Sequence, residues 1–580
     1  MPRRYQAPSE PSISAFRPAA ALRAALRNGY SSSDLRADLL AGIVVGIVAL
    51  PLSMALAVAS GVPPQHGLYT AIVAGAVIAG LGGSMVQVSG PTAAFVVLLA
   101  PISARFGLGG LVLASLMAGV ILMSMGLIRL GGLIQFVPYP VTTGFTAGIA
   151  VVIATLQLKD FLGLTVARMP EHYLERVAAL ARALPTAQWD DLAIGLLTLA
   201  LLLLWPRITR KVPAPLVALS LAAVAAVLLA EVVPGFAVET IRGRFSYEVG
   251  GRLFQGIPQL PPLPVLPWRL PGPDGQPLGL SLGLLRELAP SAFAIAMLGA
   301  IESLLSAVVA DGMTGGSHDP DAELLAQGAG NIVAPFFGGI AATGAIARTA
   351  TNIRSGARSP FASLFHALFV LLAVLLLAPV LGDLPMASLA ALLLVVAWNM
   401  SEARHFVHAL RVAPNSDVLI LLTCFLLTVI FDMVVSVTVG VMLAALLFMR
   451  RMAEVSRVRL VDQHPLLTGL PKSVLVYEVA GPLFFGAAQK AMSALHRVPT
   501  GIRVVLLDLS SVPVMDATGL VSLEAAVQRL RALGVFVVLA GVQEQPLQVL
   551  EKSGALGRRD EIAVCGSVEE AVAMARERVA

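Results

Sequence analysis

Two stretches, Ser89-Gly90-Pro91-Thr92-Ala93-Ala94 and Thr343-Gly344-Ala345-Ile346-Ala347-Arg348, decide the fold. Each interrupts a long apolar region. Each also precedes an apolar segment too short to cross a bilayer, since a spanning helix needs roughly 20 apolar residues. Corresponding interruptions in two halves of a chain point to the binding site of a secondary transporter. A helix that begins at mid-membrane aims unpaired N–H groups and its positive dipole end at one spot. Two such starts facing each other would make an anion site, and Arg348 adds a full charge. The plainer alternative is a pair of tight turns between ordinary helices. The short segments and their matched positions argue against it.

Working outward, 57% of the 580 residues are hydrophobic and 13% are charged. No large soluble protein hides that much apolar surface without lipid. The excess stops near residue 450, so a polytopic α-helical membrane domain and a small α/β domain are expected. The expected divisions are a cytoplasmic N-terminal segment over 1–36, a transmembrane anion-transport domain over 37–452 and a cytoplasmic domain over 470–580. The net charge of +5 does not imply nucleic acid, because the basic residues flank apolar segments, where orientation signals belong. Cys424 and Cys565 cannot build a disulfide framework and read as buried thiols. Residues 1–36 are polar and Arg-rich, so no cleavable signal peptide is expected. No catalytic triad, metal cluster or nucleotide loop is evident, so neither an enzyme nor a resident cofactor is expected.

Apolar segments run near 39–59, 66–82, 90–102, 108–127, 133–158, 190–206 and 213–233. A second set runs near 288–310, 324–341, 344–357, 360–380, 385–400, 416–432 and 434–449. This predicts 14 segments in two repeats, about 37–233 and 288–450, with the third of each set a half-helix. An odd number per half puts the halves in opposite orientation, as an inverted repeat requires. With both termini cytoplasmic, the inner loops hold Arg129, Arg207, Arg210, Lys211, Arg354, Arg358, Arg404 and Arg411. One inner loop, Asp311 to Glu323, is acidic and dissents. The Pro-rich stretch 256–278 reads as an extended outer linker, and 159–189 as another outer loop, partly helical. In the tail, strands are expected at 474–479, 504–508 and 535–539, with helices at about 486–497, 516–533, 545–553 and 568–579.

The expected substrate site is Ser89, Gly90, Pro91, Thr92 and Ala93 with Gly344, Ala345, Ile346, Ala347 and Arg348. Pro91 suits a first helical turn. Gly90 and Gly344 would let a substrate approach the backbone, and Thr92 and Thr349 could donate hydroxyls. A charge such as Arg348 inside an apolar domain faces a cavity or a partner. The alternatives are snorkelling or a pair with Glu302. Glu302, mid-span among Gly299, Ser303 and Ser306, reads as a proton acceptor or Na⁺ ligand, or else as half of a structural ion pair. Gln65, His66 and Tyr69 sit at an outer turn, where His66 reads as a surface or capping residue without a role. Asn331 and Asn352 are candidates for bonds across helices. In the tail, Asp516 suits an N-cap. Thr518 is either a phospho-acceptor or part of a plain capped helix start.

These residues resemble the sulfate-permease (SulP) family of anion transporters, which also contains the animal anion exchangers and the motor protein prestin. The likeness runs from about residue 34 to the end. It rests on Gly61-Val62-Pro63-Pro64-Gln65-His66-Gly67-Leu68-Tyr69, Ser89-Gly90-Pro91-Thr92, Gly299-Ala300-Ile301-Glu302-Ser303-Leu304-Leu305 and Arg348-Thr349-Ala350. The tail resembles the STAS domain of sulfate transporters and anti-sigma-factor antagonists. Its loop is often Asp-Ser-Ser-Gly in relatives, where this chain has Asp516-Ala517-Thr518-Gly519.

The resemblance implies a core domain of segments 1–4 and 8–11, a gate domain of 5–7 and 12–14, an anion between the starts of segments 3 and 10, and elevator-like transport by a homodimer. Ser306, one turn after Glu302, matches a hydroxyl ligand of the coupling ion in sodium-coupled bicarbonate carriers. Those have aspartate where this chain has Glu302, and glutamate is closer to proton-coupled relatives. The expected function is therefore proton-coupled symport of a small oxyanion or dicarboxylate (sulfate, bicarbonate or a C4-dicarboxylate) across a bacterial inner membrane. Sodium-coupled bicarbonate symport and an uncoupled anion channel or sensor are the alternatives. Expected partners are the anion, membrane lipid, a second copy of the chain and a cytoplasmic protein on the STAS domain, with no nucleic acid.

Overall fold

The computed structural model describes residues 18–579, apart from 28, 133–136, 167–168, 171, 210–211, 250, 432, 456, 462–469, 485–487, 489–491, 493–494, 496–497 and 555–561. They form two compact units, Met1–Val441 and Met442–Ala580.

In the first unit a short helix α1 (Ala20–Arg27) precedes α2 (Ser32–Ala59). A capping box starts α2: the Ser31 hydroxyl accepts from the Asp34 N–H, and the Asp34 carboxylate accepts from the Ser31 N–H. Pro63 and Pro64 start α3 (Pro64–Leu81). Strand β1 (Ser89–Gly90) leads into α4 (Ala93–Leu127), which Gly107 divides. Its φ of 69° and ψ of −172° suit glycine, and a Cβ there would lie 2.5 Å from the carbonyl carbon of Gly272. The part before the break is about 21 Å long at 1.5 Å per residue, a half-helix as expected. The half continues with α5 (Tyr139–Phe161), α6 (Tyr173–Ala183), α7 (Trp189–Ile208), α8 (Ala214–Val232), α9 (Ile241–Arg244) and the hairpin β2 (Ser246–Val249) and β3 (Arg252–Gln255).

The second half holds α10 (Leu282–Thr314), α11 (Pro320–Val333), β4 (Thr343–Gly344), the nine-residue α12 (Ile346–Arg354), α13 (Phe361–Leu381), α14 (Met386–Met400), α15 (Ala403–Val412), α16 (Asn415–Ile430) and α17 (Met433–Val455). Each apolar segment read from the sequence coincides with one of these helices, α4 serving for two. Among the described residues, nine helices are long and apolar enough to cross a membrane. The halves interlock: α2, α3 and α4 pack on α10, α11 and α13, whereas α5 and α7 pack on α14 and α16.

Several expectations need correction. The stretch after β3 is extended but docked: the Gly109 N–H donates to the Pro271 carbonyl, the Val265 N–H donates to the Phe336 carbonyl, and Trp268 meets Phe336 edge-on. The hairpin before it was not expected, and α15 replaces an inner loop around Arg404 and Arg411. Tyr247 stacks on Phe254 across the hairpin, and α15 has no buried residue, so neither carries the apolar run by which the sequence was read. Of the acidic stretch 311–323, expected as an inner loop, only 315–319 lies between helices. Asp311 bonds His318, Asp319 caps α11, Asp321 accepts from the Gly131 N–H, and Glu323 is buried. His66 is buried too, donating from Nδ1 to the Gly338 carbonyl at 2.6 Å. Asn331 and Asn352, expected to bond across helices, donate instead to the carbonyls of Ala342 and Val86, which lie outside the helices.

The second unit is a five-stranded sheet in the order β5-β6-β7-β8-β9. Strand β5 (Arg457–Leu460) runs antiparallel to β6 (Val474–Ala480), while β7 (Val504–Ser511), β8 (Phe536–Ala540) and β9 (Ile562–Cys565) follow in parallel. Its helices are α18 (Ala517–Ala532), α19 (Glu544–Ser553) and α20 (Val568–Val579). Both sheet faces are covered, with Tyr477 and Val479 in one apolar cluster and Val474 and Val476 in the other. The two short strands β5 and β9 were not expected. The helix expected at 486–497 falls largely outside the described residues, as do Arg210 and Lys211. Asp516 caps α18, accepting from the Gly519 N–H at 2.7 Å. Burial pushes the Cys565 thiol up from its usual range.

Candidate functional site

Strands β1 and β4 pair antiparallel, Ser89 opposite Gly344 and Gly90 opposite Thr343. Each is two residues long and feeds a helix almost at once, α4 at Ala93 and α12 at Ile346. Two interruptions 254 residues apart in sequence thus cross, and two helix starts face one cavity of about 290 Å³. Pro91, Thr92, Ala93 and Ala94 line it from one side, and Ala345, Ile346, Ala347 and Arg348 from the other. Neither start has a side-chain cap: the N-cap residues Thr92 and Ala345 make no capping hydrogen bond. The first N–H groups of both helices are left for another acceptor.

Arg348 is 2% exposed. Its Nη2 donates to the Pro91 carbonyl, which ties one helix start to the other. Nε and Nη1 have no hydrogen-bond partner. Glu302, from α10, lines the same cavity and accepts from the Thr92 hydroxyl at 2.9 Å. It is not a hydrogen-bond partner of Arg348, so the structure does not show the ion pair that was the alternative reading. The rest of the wall is mostly apolar, with Leu52, Leu56, Phe145, Leu298, Leu305 and Val396 drawn from both helix groups. A charge is felt more strongly in such surroundings than in water.

The structure separates some of the expected residues from this cavity. Ser89 accepts from Gln327 Nε2 at 3.0 Å, and Ser306 donates to the Thr349 hydroxyl at 3.2 Å. Neither lines it. Thr349 also accepts from the Val88 N–H, so it serves β1. Pro91 precedes the first helical turn instead of occupying it. The bare faces of Gly90 and Gly344 are filled by protein, not left for a substrate. A Cβ on Gly90 would lie 2.7 Å from Arg348 Nη1, and one on Gly344 would lie 2.1 Å from Gln87 Nε2. Phe145, Thr146, Asn399 and Glu402 line the cavity without having been read from the sequence. The run of Thr142, Thr143, Gly144, Thr146 and Gly148 inside an apolar segment was the available signal for the first two. Thr518 lies in the first turn of α18, in the second unit.

Gly90→Ala follows from this crowding. The displaced group is the far end of a flexible side chain, so the fold should survive while the guanidinium shifts. Anion affinity of the purified protein, measured by calorimetric titration, is expected to fall by about tenfold with the melting temperature little changed.

The sulfate permease family profile matches residues 35–424, and the STAS domain profile matches residues 468–571. YvdB of Bacillus subtilis (strain 168), whose name assigns it provisionally to sulfate transport, is 41% identical over 503 residues, 86% of this chain and 90% of that protein. The bicarbonate transporter BicA of Picosynechococcus sp. (strain ATCC 27264 / PCC 7002 / PR-6) is 30% identical over 86% of this chain and 87% of its own. Among solved structures, SLC26A9 superposes with a TM-score of 0.80 at 19% identity, over 96% of this chain and 92% of that one, a likeness of fold. The transmembrane domain of a cyanobacterial BicA gives a TM-score of 0.59 at 27% identity, over 71% of this chain and 97% of that one. These relatives are transporters, not enzymes, and the apolar helices fit a multi-pass membrane protein. The chain belongs to the sulfate permease family of anion transporters and carries a STAS domain at its C-terminal end.

Proposed function

We propose that this transporter moves a small oxyanion or dicarboxylate together with a proton. The anion sits between the starts of α4 and α12, and Glu302 carries the proton. One observation bears most of the weight: Arg348, almost fully buried between two uncapped helix starts, keeps two guanidinium nitrogens without a partner. A helix start is a ready anion site, and a buried unpaired donor is costly unless something accepts from it. Arg348 and the N–H groups of both starts are thus the anion's ligands, with Thr92, whose hydroxyl donates to Glu302, lining the same cavity. The remaining residues of the crossing, Ser89, Gly90 and Gly344 with Ser306, act one layer behind.

In this reading α2–α4 with α10–α13 form the moving core, and α5, α7 and α8 with α14, α16 and α17 form the gate. The chain crosses a bacterial inner membrane 14 times in two inverted halves, both termini are cytoplasmic, and two copies work as a dimer. A cytoplasmic protein engages the STAS domain, and phosphorylation of Thr518 tunes that contact. Similarity to both a sulfate-named and a bicarbonate-named relative supports an oxyanion and keeps both as candidate substrates.

The test is uptake by the full-length protein in liposomes, with the membrane potential clamped and the outside one pH unit more acid. Radiolabelled sulfate, bicarbonate and succinate serve as probes. At one proton per anion, a one-unit gradient sustains roughly tenfold accumulation, because one pH unit is about 1.4 kcal/mol. Accumulation that follows an imposed sodium gradient and ignores pH would replace the proton with sodium. Failure to accumulate any probe would sink the reading.

A further inference from the structure

The anion site depends on where two very short strands hold two helix starts, and one buried carboxylate behind those strands has no part in the function described so far. Glu323, in the first turn of α11, is 1% exposed. Its Oε1 accepts from Gln87 Nε2 at 3.0 Å and from Gln327 Nε2 at 3.0 Å. Its Oε2 accepts from the Gly83 N–H at 3.1 Å, and the Ser84 backbone adds a further hydrogen bond. None of these donors carries a charge. A buried carboxylate is tolerated when N–H groups surround it in this way, and His318 acts on it electrostatically without a hydrogen bond.

The two glutamines show what the carboxylate does. Both Oε1 atoms, of Gln87 and of Gln327, are buried without a hydrogen-bond partner. Each amide has therefore turned its NH₂ towards Glu323 and left its own oxygen bare. Turning either amide over would set oxygen against oxygen, because an ionised carboxylate only accepts. The orientation of both amides is thus fixed by a single group, and each amide reaches a different half of the crossing. Gln327 Nε2 also donates to Ser89 Oγ on β1. Gln87 Nε2 lies across the bare face of Gly344 on β4, where a Cβ would come within 2.1 Å of it. Gly344 is two residues before the start of α12. Neutral groups also hold the crossing: Ser303 holds Thr343 and Gly344, and Asn331 holds Ala342.

We propose that Glu323 is a positioning residue for the anion site: its carboxylate aims Gln87 and Gln327 at the two crossing strands and so sets the separation of the two helix starts. The proposal rests on the anion-site reading above. Glu323 does not touch the anion; it acts through β1 and β4. Glu323→Gln keeps the volume but replaces one accepting oxygen by an NH₂ that must face either the two amide donors or the Gly83 and Ser84 N–H groups. The crossing then relaxes, and the anion's ligands move apart.

The experiment is initial-rate uptake by the full-length protein in liposomes, using whichever of radiolabelled sulfate, bicarbonate and succinate the unaltered protein carries. Glu323→Gln is expected to raise KM by about tenfold, the loss typical of a hydrogen bond to a charged group, with maximal rate and melting temperature near those of the unaltered protein. Glu323→Asp, which restores the acceptor on a shorter arm, should recover most of the affinity. A merely structural residue would lower the amount of active protein and the melting temperature and leave KM alone. An unchanged KM in Glu323→Gln overturns the proposal. If that variant does not fold, Gln87→Met, which keeps the length and deletes the donor, decides: a raised KM supports the proposal, and an unchanged KM overturns it. Should the unaltered protein carry none of the probes, the anion-site reading fails and takes this proposal with it. Carriage with unaltered KM in the variants sinks this proposal alone.

Discussion

Arg348→Ala is expected to weaken anion binding by two to three orders of magnitude while leaving the protein folded. The magnitude follows from burial: removing one partner of a desolvated, hydrogen-bonded charge pair costs roughly 2–5 kcal/mol, and each 1.4 kcal/mol is about tenfold in Kd. The fold should survive because the guanidinium makes one hydrogen bond to protein, to the Pro91 carbonyl, and leaves Nε and Nη1 unpaired. Removing it therefore orphans little in the unliganded protein. Arg348→Lys separates charge from geometry. Lysine supplies a point charge without the planar fork, so an affinity between those of the arginine and alanine proteins is expected. Calorimetric titration of the purified full-length variants with sulfate and bicarbonate reads both. Unaltered affinity in Arg348→Ala would mean that the helix starts suffice without the charge, and the assignment of Arg348 would fall.

The sequence was most informative where it broke its own pattern. A Ser-Gly-Pro-Thr and a Thr-Gly-Ala inside apolar runs were visible because the bilayer forbids such backbone unless it is buried in protein. The pairing of β1 with β4, Ser89 against Gly344, realises that reading. Arg348 was legible for a related reason, as a full charge where charge is expensive. Glu323 was not. It follows Asp311, Asp319 and Asp321 at the edge of an apolar segment, and in one dimension it is the last residue of an acidic inner loop. Only the fold shows that Gln87, 236 positions away, turns towards it. His66 misled in the same way: a histidine beside Pro63 and Pro64 reads as a surface turn until the Gly338 carbonyl is brought to its Nδ1. Strands β5 and β9 were missed because each is four residues long and means little before β6 and β8 are there to pair with it.

Glu302→Gln is the variant expected to uncouple transport, abolishing the response to a pH gradient while anion exchange continues. The glutamine keeps an oxygen to accept from the Thr92 hydroxyl, the bond that Glu302 makes at 2.9 Å, so the start of α4 should stay in place. What is lost is a cavity-lining carboxyl bonded to the start of α4 that can take up and release a proton. Coupling requires that the anion and the proton favour the same state of the transporter, and such an effect is reciprocal. With Glu302 in place, acid outside should strengthen anion binding at the outward side, and a one-unit gradient should sustain about tenfold accumulation at one proton per anion. With glutamine, the accumulation ratio should fall to about one under the same gradient, since no free energy is then drawn from it. Counterflow of labelled against unlabelled anion, measured in the same liposomes, should persist and show that the anion site is intact. Full retention of the gradient response in Glu302→Gln would move the coupling proton to another group. Loss of both accumulation and counterflow would make Glu302 a ligand of the anion site instead of its coupling residue.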